Sequence, residues 1–138
     1  VDMIATDHAP HTRAEKDTDI WSAPSGVPGV ETALPLLLAA ADRGELSYER
    51  VRDLTAANPA DVFGLDRKGR IEEGNDADLV LVGAEPREIR GAALHTNCEW
   101  TPFEGMDGVF PSLTLVRGSV VYESGEFGAR VGRNVRSA

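Results

Sequence analysis

Lysine is nearly missing from this 138-residue chain: only Lys16 and Lys68 occur, and the other basic residues are arginines. Basic residues of both kinds are outnumbered, 14 against 23 acids, for a net charge of −9. That balance excludes a nucleic-acid surface, which would need a basic patch. An acid-rich, lysine-poor composition belongs to a salt-loving source or to a high-GC genome, which enriches arginine in the same way. Cysteine is limited to Cys98, so there is no internal disulfide and no Cys-x-x-Cys metal site. The expectation is a reducing compartment and a plain interior thiol. Long apolar runs are absent too. The longest, Ala33 to Ala41, is broken by Pro35 and falls far short of the ~18 residues a membrane span requires. Nothing reads as a signal peptide, so the expected setting is cytoplasmic, with no membrane contact. An initiating methionine is lacking as well, and the chain opens inside what reads as a strand. The length suffices for one domain but not for a whole (β/α)8 barrel, which needs roughly 200 residues. The expectation is a fragment.

What is present is concentrated near the start, in Ile4-Ala5-Thr6-Asp7-His8-Ala9-Pro10-His11. An apolar run from Val1 leads into an acid and two histidines and stops at Pro10. Parallel barrels display reactive groups in this way, at the C-terminal ends of their strands. A strand ending in a polar turn, with the acid capping the loop, accounts for the same residues equally well.

Along the chain, Val1 to Thr6 predicts a parallel barrel strand, its near-continuous apolar character suiting burial on both faces. His8 to Val27 lacks periodicity, and a loop of that length is usually functional or disordered. Val30, Ala33, Leu34, Leu37, Leu38 and Ala41 recur at helical spacing, which predicts a helix over 29–43, kinked at Pro35 and stopped by Gly44. Ser47 caps a second helix with Val51, Leu54 and Thr55 inward. Asn58-Pro59 reads as N-cap and first residue of a third, Ala60 to Phe63, ended by Gly64, a purely structural element. Strands follow at Leu79–Val82, Leu113–Arg117 and Val120–Glu123, the last two joined by a short glycine turn. Residues 85–111 read as an irregular excursion, and the tail beyond Gly125 as a final short strand and a frayed end.

Thr6-Asp7-His8-Ala9-Pro10-His11, with Lys16 five residues on, resembles the Thr-Asp-x-Ala-Pro-His signature of the dihydroorotases, members of the amidohydrolase superfamily. Ala23-Pro24-Ser25-Gly26-Val27-Pro28-Gly29 is similar to that family's substrate loop, and Gly69-Arg70-Ile71-Glu72-Glu73-Gly74 with Asp76-Ala77-Asp78-Leu79-Val80 to the superfamily's return into a second domain. The resemblance implies an α/β fold: the C-terminal end of a metal-dependent (β/α)8 amidohydrolase barrel plus part of the accompanying small β-sandwich. Residues 1–66 would supply the last strand, active-site loop and helices of the barrel, and 67–138 the sandwich strands and tail. With the sandwich's N-terminal strands missing, an unpaired edge is expected.

The family interconverts carbamoyl aspartate and dihydroorotate in pyrimidine synthesis, with one or two zinc ions and a bridging hydroxide. By resemblance, Asp7 is both catalytic proton carrier and metal ligand, His11 contacts the substrate carboxylate, and the backbone at Ser25 and Gly26 meets the substrate ring. His8 falls at the signature's variable position and takes an orienting or structural role. Lys16 either pairs with an acid to stabilise the loop or contacts substrate. His95 receives no function. The family's remaining metal ligands have no counterpart in this chain, so it is expected to be inactive alone and to hold zinc weakly or not at all. Implied partners are the missing N-terminal barrel portion and either a second copy or aspartate transcarbamoylase. Three other readings stand beside this one. They are a cyclic amidase of the allantoinase or hydantoinase type, a non-catalytic dihydroorotase-like scaffold, and a self-standing β-rich module over 69–138.

Overall fold

The computed structural model describes residues 1–83 and 85–135. The N-terminal half is helical: α1 (Arg13–Lys16), α2 (Val30–Asp42), α3 (Tyr48–Arg52) and α4 (Asn58–Phe63). Apolar residues spaced on one face explain α2, whose Leu38, Ala39 and Ala41 are buried together with Val51 of α3 and Val109. Pro35 lies inside α2 without ending it, and its carbonyl accepts the Val109 N–H at 3.0 Å. The helix stops where expected: Glu45 N–H bonds back to Ala40 O and Gly44 N–H to Ala41 O, the double closure of a Schellman cap. Ser47 Oγ accepts the Arg50 N–H at 3.1 Å and starts α3.

Beyond α3 the structure departs from the expected pair of separate helices. A π turn over Asp53–Ala57 joins α3 to α4 in one continuous run. Asn58 has helical backbone angles and caps nothing within the helix, because the chain never leaves the helical conformation before it. Thr55 is exposed, unlike Val51 and Leu54. Its hydroxyl donates to Val51 O at 2.8 Å, which supplies the polar group with a partner without burying it.

The C-terminal half is a four-stranded antiparallel sheet, ordered β1 (Leu79–Val82), β4 (Pro111–Val116), β5 (Ser119–Glu123), β6 (Glu126–Phe127). Arg117 and Gly118 form the β4–β5 turn with φ of 47° and 77°, the left-handed pair that a two-residue hairpin demands. The excursion contains a small ladder, β2 (Arg87–Glu88) against β3 (Asp107–Gly108), and β3 packs on α2. β1 ends the sheet among the described residues, with Val80 and Leu81 exposed. The frayed end expected after β6 reaches residues 136–138, outside the described residues. Among the described residues, no helix is long and apolar enough to cross a membrane.

Val1 to Thr6 forms no strand here, and Val1 to Ala5 are exposed. A strand exists only through its neighbours, and the described residues place none beside this segment except a single parallel bridge at His8–Val27.

Where the helical half turns into the sheet, Lys68 holds both Asp76, at 2.9 Å, and Asp78. Arg67 adds a bond to Asp76 at 2.8 Å, and the Arg117 N–H one to Asp78 at 2.7 Å. The hydrogen bond from Lys68 keeps the Asp76 carboxyl below the ordinary 3.8. Burial pushes Asp78 up, but Lys68 and the Arg117 N–H outweigh it and hold it below 3.8 as well. Hydrogen bonding to Asp78 raises Lys68 above 10.5. Depressed carboxylates contribute stability above their unfolded pKa and lose it as pH falls through the folded one. The raised lysine contributes below 10.5 and loses it at higher pH. Thermal unfolding of Lys68→Met should therefore lose less of its midpoint than wild type between neutral pH and about pH 3. Identical acid slopes would remove this junction from the acid response.

Candidate active site

The Asp7–His11 segment runs beside the loop at 24–27. Ala9 N–H donates to Val27 O at 3.0 Å, alongside the His8–Val27 bridge. Asp7 itself has φ 45°, a left-handed backbone that costs a non-glycine residue free energy and that gathers at functional positions. Its carboxylate is exposed and makes no hydrogen bond or ion pair among the described residues. His11 is half-buried; its N–H bonds to Ala9 O at 3.0 Å around Pro10. The His11 carbonyl is taken by Trp100 Nε1–H at 2.7 Å, and the imidazole has no hydrogen-bond partner among the described residues.

His8 has a structural task. Its Nδ1 accepts the N–H groups of Gly29, at 3.0 Å, and Val30, at 3.3 Å. The first amides of a helix lack intrahelical acceptors, and Gly29, the N-cap of α2, has no side chain to offer. His8 supplies the acceptor instead, which puts its proton on Nε2.

Among the described residues Lys16 pairs with no acid, and it does not stand idle. Its ammonium bonds Pro24 O at 2.6 Å and Gly26 O at 3.0 Å, the carbonyls on either side of Ser25. Thr12 and Glu15 form a reciprocal capping box that fixes α1 and hence Lys16. The long loop is thus built, not structureless. Ser25 is exposed and makes no hydrogen bond among the described residues. Gly26 has φ 87°, and a Cβ there would lie 2.5 Å from the Ala9 Cβ, so only glycine lets the two segments approach this closely.

Two contacts lay outside the expected set. Glu31, in the first turn of α2, accepts the His95 N–H at 2.9 Å and lies 2.7 Å from His95 Nδ1. The His95 ring also stands edge-on to Phe127, 4.7 Å between centroids. His95 therefore joins α2, the excursion and β6. Trp100 carries one signal in the sequence, an indole N–H, a donor that needs a partner when partly buried.

A 440 Å3 cavity adjoins the motif, lined by His8, Pro10, Glu31, Thr32, His95 and Cys98 among others. Asp7, His11, Ser25 and Gly26 do not line it. Among the described residues, no three of His, Cys, Asp and Glu are placed to hold a metal ion. A catalytic zinc takes three protein ligands, so these residues alone do not fit one. Asp7 remains a single candidate oxygen donor.

Residues 2–121 match the amidohydrolase family. The chain is 72% identical over 137 residues to a dihydroorotase of Halobacterium salinarum, covering 99% of this chain and 32% of that protein. It is 52% identical over 138 residues to a dihydroorotase of Methanosarcina acetivorans, covering 96% and 29%. Among solved structures, L-hydantoinase (dihydropyrimidinase) from Arthrobacter aurescens superposes with a TM-score of 0.87 at 34% identity, covering 94% of this chain and 30% of that one. D-Hydantoinase (dihydropyrimidinase) from Thermus sp. gives 0.87 at 33%, with the same coverage. The chain spans just under a third of the length of the curated relatives it matches. The helices and strands above correspond to the C-terminal part of an amidohydrolase barrel and its β-sandwich.

Proposed function

We propose, from the premise that this chain belongs to the amidohydrolase family, that it forms the C-terminal portion of a dihydroorotase. The full-length protein would interconvert N-carbamoyl-L-aspartate and L-dihydroorotate in pyrimidine synthesis. The observation that carries this reading is the 72% identity to a dihydroorotase across the whole site-bearing stretch. The placement of Asp7 and His11 supports it. Residues 1–66 would belong to the barrel and 67–138 to the sandwich. Zinc would be the metal, one or two ions, with Asp7 as one ligand and the others from residues beyond this chain.

Within the chain's own chemistry, Asp7 is a proton carrier. In ring opening it takes a proton from the attacking water as the new C–O bond forms. It returns that proton to the ring nitrogen as the C–N bond breaks, so no net proton is consumed at the carboxylate. The Asp7 carboxylate is exposed and, among the described residues, has no hydrogen-bond donor competing for the site that takes the proton. His11 donates an imidazole N–H to the ring carboxylate, a charge-assisted bond. Ser25 and Gly26 present small residues to the ring, with their loop held by Lys16.

The hydantoinase likeness of the solved structures supports a second reading, a cyclic amidase for rings without that carboxylate. His11 separates the two. With dihydroorotate, His11→Ala should raise KM of the full-length protein about 10- to 100-fold, the loss of one hydrogen bond to a charged group. Assay of the wild type on dihydroorotate, allantoin and hydantoin side by side tests the reading itself. Turnover of hydantoin or allantoin with none of dihydroorotate would overturn it in favour of the second.

A further inference from the structure

The Asn58-Pro59 element, a helix start when read from sequence, does something else in the fold. In the π turn, the Asn58 N–H reaches back to Asp53 O instead of to Leu54 O. Continuing the π pattern, the next amide would bond Leu54 O, but residue 59 is proline and has no N–H. The Leu54 carbonyl is thereby released from the helix, and the Ile4 N–H takes it at 3.1 Å. The Asn58 side-chain amide donates to Asp2 O at 2.6 Å. The Arg50 guanidinium holds Val1 O.

Asp2 O and Ile4 N–H, two residues apart, are both bonded by the end of this helical run, which ties the segment to it at two points. A regular α-helix would close Leu54 O on the residue 58 amide, and Ile4 would have to share that acceptor instead of holding it alone. The segment held in this way runs on, within three residues, to the left-handed backbone at Asp7.

We propose that Asn58 and Pro59 are positioning residues for Asp7: the turn they create, and the carbonyl it frees, fix where the Asp7-bearing segment stands. This rests on the role given to Asp7 above. Single helix contacts at Ile4 and Asp2 set the depth of the segment, and the strained backbone at Asp7 keeps its geometry because its approach is pinned.

The test is made in the full-length protein with dihydroorotate as substrate, using Pro59→Ala, Asn58→Ala and Asp7→Asn. Pro59→Ala restores a helix amide and a good helix former, so thermal unfolding should be unchanged or later. Its kcat should nevertheless fall about tenfold or more, with KM within about threefold. Hydrogen exchange at the Ile4 amide should speed up by about tenfold. A residue serving stability alone would not separate kcat from thermal stability in this way. Asn58→Ala leaves the helix backbone intact and should lower kcat similarly at unchanged KM, which carries the test should Pro59→Ala not fold. Wild-type kcat in the folded variants, or unchanged exchange at Ile4 in Pro59→Ala, overturns the proposal. If Asp7→Asn is inactive while Asn58→Ala and Pro59→Ala keep wild-type kcat, only this inference fails. If Asp7→Asn stays active, the role of Asp7 fails and takes the inference with it.

Discussion

Asp7→Asn in the full-length protein is expected to lower kcat by about 100- to 10,000-fold, the range that a positioned proton carrier contributes, while leaving the fold unharmed. The second half of that expectation follows from the backbone. Asp7 sits at φ 45°, where asparagine is tolerated at least as well as aspartate. Its side chain is exposed and has no partner among the described residues to lose. Thermal stability of the metal-free protein should therefore stay within about 0.5 kcal/mol of wild type. An amide of the same shape cannot accept and return a proton, so activity and stability separate. More than a few per cent of residual turnover would remove Asp7 from the chemistry.

Gly26→Ala should be the next most damaging change, for a steric reason. Its φ of 87° disfavours any side chain, and the added Cβ would meet the Ala9 Cβ at 2.5 Å. Ala9 cannot retreat freely, because its N–H is bonded to Val27 O. One of the two segments must shift, and a displacement of about 1 Å at a reacting centre costs on the order of 100-fold in rate. Gly44→Ala is the control. Its φ of 76° brings similar backbone strain, but among the described residues nothing beyond its own chain neighbours lies within 4 Å of the added carbon. Gly44→Ala should lower thermal stability by about 1 kcal/mol and leave kcat/KM unchanged. Equal effects of the two on kcat/KM would mean that the contact at Ala9 does not govern the site.

Much of the fold was legible because it is local. The Ser47 cap, the Gly44 stop, the α2 periodicity and the β4–β5 turn all depend on residues within a few positions of one another. The candidate residues were legible through their motif, although the motif says nothing of how they are held. What stayed hidden depends on distant partners. Residues 1–6 read as a strand from composition, yet strand pairing is decided by neighbours. His8 caps a helix 21 and 22 residues away, and Trp100 reaches a carbonyl 89 residues back. Asn58 looked like an N-cap because Asn-Pro usually begins a helix. Its amide instead serves a carbonyl 56 residues distant. The lysine clamp was half visible: Lys16 stood in the signature, but only the fold brings the two loop carbonyls to its ammonium.

The most direct measurement is a crystal structure of the full-length Asp7→Asn variant with dihydroorotate bound. The residue 7 side chain should lie within about 3 Å of the reacting amide. The His11 imidazole should stand about 2.7–2.9 Å from the ring carboxylate, with the ring against Ser25 and Gly26. A ring carboxylate held elsewhere, with His11 turned away and residue 7 out of reach of the amide, would contradict this placement.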